Sequence, residues 1–493
     1  MKDQASKESK ASSRMSYGAC DIYGGGAFVV ISTFYTVFLT KALGMPPALA
    51  GMIPLIGKVW DAITDPIMGN IADRTVSKFG PKRFWILVGS IISALTFVVM
   101  WIPFKAGGST TAQFIFYMLM YMLFSTGFTI VMVPYNGLLP DMVDDYTVRA
   151  KFSSTRMIFS ALGAIIAGLI PTLMIKDNTN AGQYLTVALI FAVVFLVTIL
   201  ITFFGTWEHH KPAQKVSMGE TFTQSFTVFK SRSFRLFIAI FIFGQCAADF
   251  ITGLAVYYVD DVLNAYGGGN FTILMGVLLV AQLIGMVVFG PIMAKTSKKF
   301  PILVGTPIRM LATLAMLFFS YEGAPFYVIL GLSFIIGLAM AGTSTTIYAI
   351  LADLADVDEL ITTVNRPGIC SGMATFARKI SAGLSSALIG VLLAMVGYDE
   401  NLAVQGMRQA ASTQKGIAYV YVFAQIVLLL LTWLFTAKFP VTKKEFDIIR
   451  KETARRRGED DSQITEEEKK VCEAVTGFKY DKLWKAENGS SFK

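Results

Sequence analysis

Apolar residues in this chain come in blocks rather than in alternation. A helix rising ~1.5 Å per residue needs about 20 apolar residues to cross the hydrocarbon layer of a bilayer. Twelve windows meet that length: 17–41, 48–72, 84–104, 112–139, 153–175, 184–206, 235–260, 271–294, 301–321, 325–351, 373–397 and 417–439. The pattern predicts an all-α polytopic membrane protein with 12 transmembrane helices. The third to sixth windows and the last are clear. The first, second, seventh and eleventh carry acids, bases or glycines, as expected of helices that line a water-filled cavity.

The blocks repeat. Gly18-Ala-Cys-Asp21 is answered by Gly244-Gln-Cys-Ala-Ala-Asp249, Pro66-Ile-Met68 by Pro291-Ile-Met293, and Asp141-Met-Val-Asp-Asp145 by Asp353-Leu-Ala-Asp356. A common offset of roughly 210–230 residues implies a duplicated six-helix unit with a substrate cavity between the halves. The expected organisation is a segment 1–16, a half 17–206, a connector 207–234, a second half 235–440 and a tail 441–493. The tail is charged and reads as solvated and partly ordered. Thr465-Glu-Glu-Glu468 has the form of a capping box, and Arg455, Arg456 and Arg457 suit anionic lipid.

Composition agrees with the pattern. The chain is 54% hydrophobic and 16% charged, against about 25% charged residues in a typical soluble domain. Its mean hydropathy is +0.57. The net charge of +9 does not point to nucleic acid, because Lys and Arg gather in alternate connectors. Arg74, Lys78, Lys82 and Arg83 follow the second block; Lys211, Lys215, Lys230, Arg232 and Arg235 mark the middle connector. This asymmetry places the N-terminus, the middle connector and the tail in the cytoplasm. No cleavable signal peptide is visible. The four cysteines have no metal or disulfide spacing, and His209-His210 reads as a solvated linker. No phosphate-binding loop is present. Gly24-Gly25-Gly26 reads as close helix packing.

The chemistry concentrates in Trp60-Asp-Ala-Ile-Thr-Asp-Pro-Ile-Met-Gly69. Asp61 and Asp65 are four residues apart, so they project from one helical face. An acid at membrane depth costs about 2.5–3.5 kcal/mol. Two on one face repel unless a cation or proton lies between them. The stretch reads as a site for Na⁺ or H⁺; the bland alternative is a buried acid satisfied by a neighbouring base, Lys58 being nearest in sequence.

These residues resemble a family. Tyr17-Gly18 with Asp21, the Trp60–Gly69 segment, Phe79-Gly-Pro-Lys-Arg-Phe-Trp85 and Val133-Pro-Tyr-Asn-Gly-Leu-Leu139 are similar to the glycoside–pentoside–hexuronide:cation symporters of the major facilitator superfamily, over roughly residues 15–440. The resemblance implies cation-coupled uptake of a sugar or glycoside across the cell membrane, no enzymatic activity, and no cofactor beyond the coupling ion. By the same resemblance Asp61, Asp65, Thr64 and Thr129 bind the cation, as metal ligands if the ion is Na⁺. Asp21 and Arg156 bind the sugar. Lys379, with Thr375 one turn before it, links the two sites. The chain departs from the melibiose-type members of the family at Met132, Asn136 and Cys20, which counts against a galactoside and leaves the sugar open.

Beside the resemblance, Asn136 and Tyr135 complete the substrate side, and Tyr23 and Tyr35 are further aromatics able to cover a sugar face. The expected partners are a small glycoside, a monovalent cation and the bilayer, with a monomer as the working unit. Arg378 is expected to snorkel to the surface. Asp73, Asp141, Asp144 and Asp145 with Arg74, Arg149 and Lys151 are expected to form gating ion pairs. The competing readings are a cation-coupled lysolipid carrier and a non-transporting sugar sensor.

Overall fold

In the computed structural model the described residues are 10–143, 146–208, 226–265, 269–364 and 366–485. They form twelve long helices and a helical tail, with no strand among them. α1 (Ala11–Val30) continues through two wide π-turns, Ile31–Tyr35 and Phe38–Ala42. α2 (Pro47–Arg74), α3 (Pro81–Val99), α4 (Thr110–Met142), α5 (Tyr146–Met174) and α6 (Ala181–Gly205) follow. α7 (Arg232–Tyr257) runs into a π-turn at Tyr258–Val262. Then come α8 (Asn270–Lys295), α9 (Phe300–Met316), α10 (Phe326–Thr362) and α11 (Pro367–Met395). A short helix, Glu400–Val404, precedes α12 (Ala411–Ala437), which has a π-turn at Val420–Ala424. Among the described residues ten helices are long and apolar enough to cross a membrane; α1 and α2 are not among those ten.

The chain packs as two compact units. The first gathers Met1–Lys215, Thr252–Gly276 and Gly383–Ile417; the second gathers Val216–Ile251, Val277–Ala382 and Ala418–Lys493.

In the first unit, small residues let backbones meet. A Cβ on Gly25 would lie 2.7 Å from the Ser160 carbonyl oxygen, so α1 and α5 cross in close contact, as the glycine run predicts. α2 and α11 meet the same way at Gly390, where a Cβ would lie 2.1 Å from the Pro47 oxygen. The ends of α1 and α7 are joined by charge: Lys41 Nζ lies 2.7 Å from Asp260 Oδ2 and 2.7 Å from Asp261 Oδ2. Asn178 donates to Asp260 at 2.8 Å, and the Thr40 and Tyr257 hydroxyls are 2.7 Å apart. α3 starts at Pro81, where the Glu208 carboxylate accepts the backbone N–H of Lys82 and Arg83.

The repeat is visible in side-chain chemistry. In the first unit Lys82 Nζ donates to Asp141 and to the Gly137 carbonyl on α4. In the second, Lys298 Nζ donates to Asp353 at 2.5 Å and to the Ala349 carbonyl on α10. Of the expected gating groups Asp141 is thus paired, with Lys82 as its base. Asp144, Asp145 and His209-His210 lie outside the described residues, as do the side chains of Asp73, Arg74, Arg149 and Lys151.

The tail is more ordered than its charge suggested. α13 (Lys443–Arg457) and α14 (Glu466–Thr476) each open on a capping box, Thr442 with Glu445 and Thr465 with Glu468. Ile449, Cys472, Val475 and Leu483 enter the core of the second unit beside Phe234, Leu360 and Phe439. The three arginines expected at lipid are committed to acids. Arg455 bonds Glu452 and Glu468, Arg456 bonds Glu452, and Arg457 bonds Glu359. A few buried apolar positions, spaced through two short amphipathic helices, outweigh the polar average of the segment.

Candidate functional site

Asp61 and Asp65 lie on α2 within the first unit. Asp61 is fully buried, and Lys58 Nζ approaches its Oδ2 to 3.1 Å one turn away. The ammonium also rests 4.2 Å from the centre of the Phe28 ring, a cation–π contact that holds it at depth. The base foreseen as the bland partner of this acid is therefore in place. Asp65 is half-buried and accepts a hydrogen bond from Thr129 Oγ1 on α4 at 2.7 Å. One turn earlier Trp60 Nε1 donates to Thr126 Oγ1 at 2.9 Å. These two bonds stitch α2 to α4 and set the face of α2 that carries the acids. Thr64 donates to the Trp60 carbonyl at 3.2 Å, which leaves its oxygen lone pairs as acceptors.

The donor set suits a hard monovalent cation: two carboxylates and two hydroxyls, Asp61, Asp65, Thr64 and Thr129, on adjoining helices. It equally suits one mobile proton, which two carboxylates on one helical face can share.

Asp21 on α1 and Arg156 on α5 form a second group in the same unit. Arg156 Nε donates to Asp21 Oδ2 at 2.8 Å; the acid side chain is 7% exposed and the arginine 25%. The guanidinium lies 4.7 Å from the centre of the Tyr135 ring. Tyr135 is fully buried, packs on Tyr17 at 4.9 Å between ring centres, and donates its hydroxyl to the Tyr17 carbonyl. Its place is behind Arg156, as a support. Tyr23 and Tyr35 are also fully buried, so all three tyrosines are packing residues in this structure. Asn136 is exposed, and among the described residues no hydrogen bond joins it to Asp21 or Arg156.

Lys379 and Thr375 lie on α11 in the second unit, Lys379 half-buried and Thr375 exposed. Their neighbour Arg378 does not reach for the surface as expected. It forms a bidentate pair with Asp249 on α7, at 2.5 and 2.8 Å. Sequence reasoning treated Arg378 as a surface group; the signal that identifies it is the correspondence of Asp249 with Asp21. Lys58 was seen only as an alternative, although its spacing of three residues from Asp61 is the helical signature of a pair.

The profile of the family described as "MFS/sugar transport protein" matches residues 16–443. The symporter YjmB of Bacillus subtilis (strain 168) is 27% identical, over 80% of this chain and 84% of its own. The glucuronide carrier protein homolog of Escherichia coli (strain K12) is 25% identical, over 87% of this chain and 92% of its own. Among solved structures, a bacterial homolog to the human lysosomal transporter Spinster superposes with a TM-score of 0.64, at 13% identity, over 88% of this chain and 96% of that one, and supports the fold. The resemblance read from the motifs is thereby borne out. The chain belongs to the MFS/sugar transport protein family, and it is a multi-pass secondary active sugar transporter of the major facilitator superfamily, not an enzyme.

Proposed function

We propose that this protein is a symporter that draws a glycoside, pentoside or hexuronide into the cell with Na⁺ or H⁺, working as a monomer in the cytoplasmic membrane with both termini on the cytoplasmic side. The observation that carries this reading is the pair of acids on one face of a membrane helix, one balanced by Lys58 and the other held by Thr129. In this reading Asp65 and Thr129, with Thr64, receive the ion, and Asp61 joins them when Lys58 moves aside. Asp21 and Arg156 take sugar hydroxyls, the acid accepting and the guanidinium donating. Lys379 and Thr375 belong to the coupling machinery. Ion and sugar raise each other's affinity by the same factor, a reciprocity that about 1–3 kcal/mol of coupling satisfies. The relative called a glucuronide carrier supports an acidic or glycosidic solute.

The test is uptake of labelled methyl glycosides, pentosides and glucuronides into vesicles under an imposed Na⁺ or H⁺ gradient. Accumulation above equilibrium with one of the two gradients is expected. Equilibration at the same rate whatever gradient is imposed would sink the symport reading.

A further inference from the structure

The first unit ties α1 to α5 through Asp21 and Arg156. The second ties α7 to α11, their counterparts six helices later, through Asp249 and Arg378. Asp249 lies 228 residues beyond Asp21, and Arg378 lies 222 beyond Arg156. The two pairs also share a pattern of burial. The acids are 7% and 10% exposed, the arginines 25% and 33%. In each, a buried carboxylate fixes a guanidinium that keeps part of its surface open.

Stability alone is a poor reason for such a pair. A buried ion pair is often no better than apolar residues of the same volume, and ionisable groups inside a span are functional unless shown otherwise. α7 and α11 are in any case held nearby by packing and by the Cys246 thiol, 3.4 Å from the Ser381 carbonyl oxygen. What the pair offers is chemistry. A carboxylate accepts a hydroxyl proton, and the guanidinium beside it donates to the adjacent hydroxyl oxygen, so together they match a vicinal diol.

We propose that Asp249 and Arg378 form a second solute-binding pair, in the C-terminal half, that recognises a vicinal diol of the transported glycoside. The inference rests on the transporter reading above and on Asp21 and Arg156 as its first pair. It adds two binding residues on helices to which that reading assigns no sugar contact.

The test compares Arg378→Cys with Arg156→Cys in vesicles, using the small anionic thiol reagent 2-sulfonatoethyl methanethiosulfonate. The four native cysteines are buried and supply the unlabelled baseline. Methyl glycosides of glucose, xylose and glucuronic acid are screened for protection of Arg156→Cys, and a sugar that protects there is then applied to Arg378→Cys. Labelling of both, slowed in both by that sugar, is the expected result. Protection of Arg156→Cys without labelling or protection of Arg378→Cys overturns this proposal and leaves the first pair standing. Protection of neither by any sugar removes the first pair and this inference with it. Arg378→Lys keeps the charge but loses the fork, so it guards against a folding artefact. It should weaken the apparent affinity for the same sugar about tenfold with the thermal midpoint unmoved; unchanged affinity overturns the proposal.

Discussion

Lys58 and Asp61 are joined by an ammonium–carboxylate contact of 3.1 Å, both side chains almost wholly removed from solvent. Removing one member of a buried pair leaves the other uncompensated, at a cost of about 3–5 kcal/mol. Lys58→Met should therefore destabilise strongly, and the double variant Lys58→Met, Asp61→Asn should recover much of the loss. Thermal unfolding in detergent measures both. If Na⁺ is the coupling ion, millimolar NaCl should raise the midpoint of Lys58→Met more than that of the wild type.

Asp65 accepts its hydrogen bond across to α4 from the neutral hydroxyl of Thr129. Asp65→Asn should abolish accumulation against a gradient while leaving the fold intact. Thr129→Val should weaken the apparent affinity for the ion, by about tenfold for one lost oxygen ligand. Asp61→Asn should also lose concentrative uptake. Ion-dependent uptake in vesicles reads all three, and unchanged concentrative uptake in Asp65→Asn would falsify the placement of the ion.

Asp21 should matter to the sugar more than to the ion. Asp21→Ala frees Arg156 from its 2.8 Å contact and removes the acceptor for hydroxyls. The expected outcome is a loss of sugar affinity of about a hundredfold, set beside a change in ion affinity of about threefold or less. Equilibrium binding to purified protein separates the two; equal losses would mean that the sugar site lies elsewhere.

Much of this was legible in the chain. The helix positions follow from block length, and the repeat motifs set Asp141 against Asp353; that each acid takes a lysine, Lys82 and Lys298, is a pairing the motifs do not show. What a linear reading missed is pairing between distant segments. Arg378 beside a span end looks like a snorkelling base until α7 brings Asp249 to it. The tail misled for another reason. Averaged hydropathy hides Ile449, Cys472 and Val475, which recur on the inner faces of two helices whose other positions are charged. At Tyr135, residue type alone does not tell an aromatic that covers a ligand from one that lies against an arginine, as its ring does against Arg156.

Helix contacts through glycine give a sharp contrast on α11. Gly390→Val would push a side chain into the Pro47 carbonyl, so α2 and α11 would have to part; little folded protein is expected. Gly372 has open space around its Cβ position, and Gly372→Ala should stabilise by about 0.5–1 kcal/mol through helix propensity. Size-exclusion profiles and thermal midpoints distinguish these outcomes.

The tail should respond to acid. The Thr465 backbone N–H, and then Arg455, hold the Glu468 carboxyl below its ordinary range. A carboxyl depressed in the folded state lends its stability above the unfolded pKa and loses it as pH falls through the folded one. Docking of α14 should thus weaken below the usual carboxylate range and be unaffected by the same shift at neutral pH. Trp484, whose backbone N–H donates to the Leu360 carbonyl, reports on it. Its emission, isolated by subtracting a Trp484→Phe variant, should change on acidification, and Glu468→Gln should flatten that change.

The wide turn at Phe38–Ala42 has a geometric corollary. Successive residues on an α-helix are rotated by about 100°. Deleting a single residue from that turn would swing everything after it by this amount and carry the Lys41 ammonium off its two aspartates. The loosened coil therefore helps to aim the charge: this turn and the one at Ile31–Tyr35 each add a residue to the helical count, and together they set the phase at the tip of the first helix.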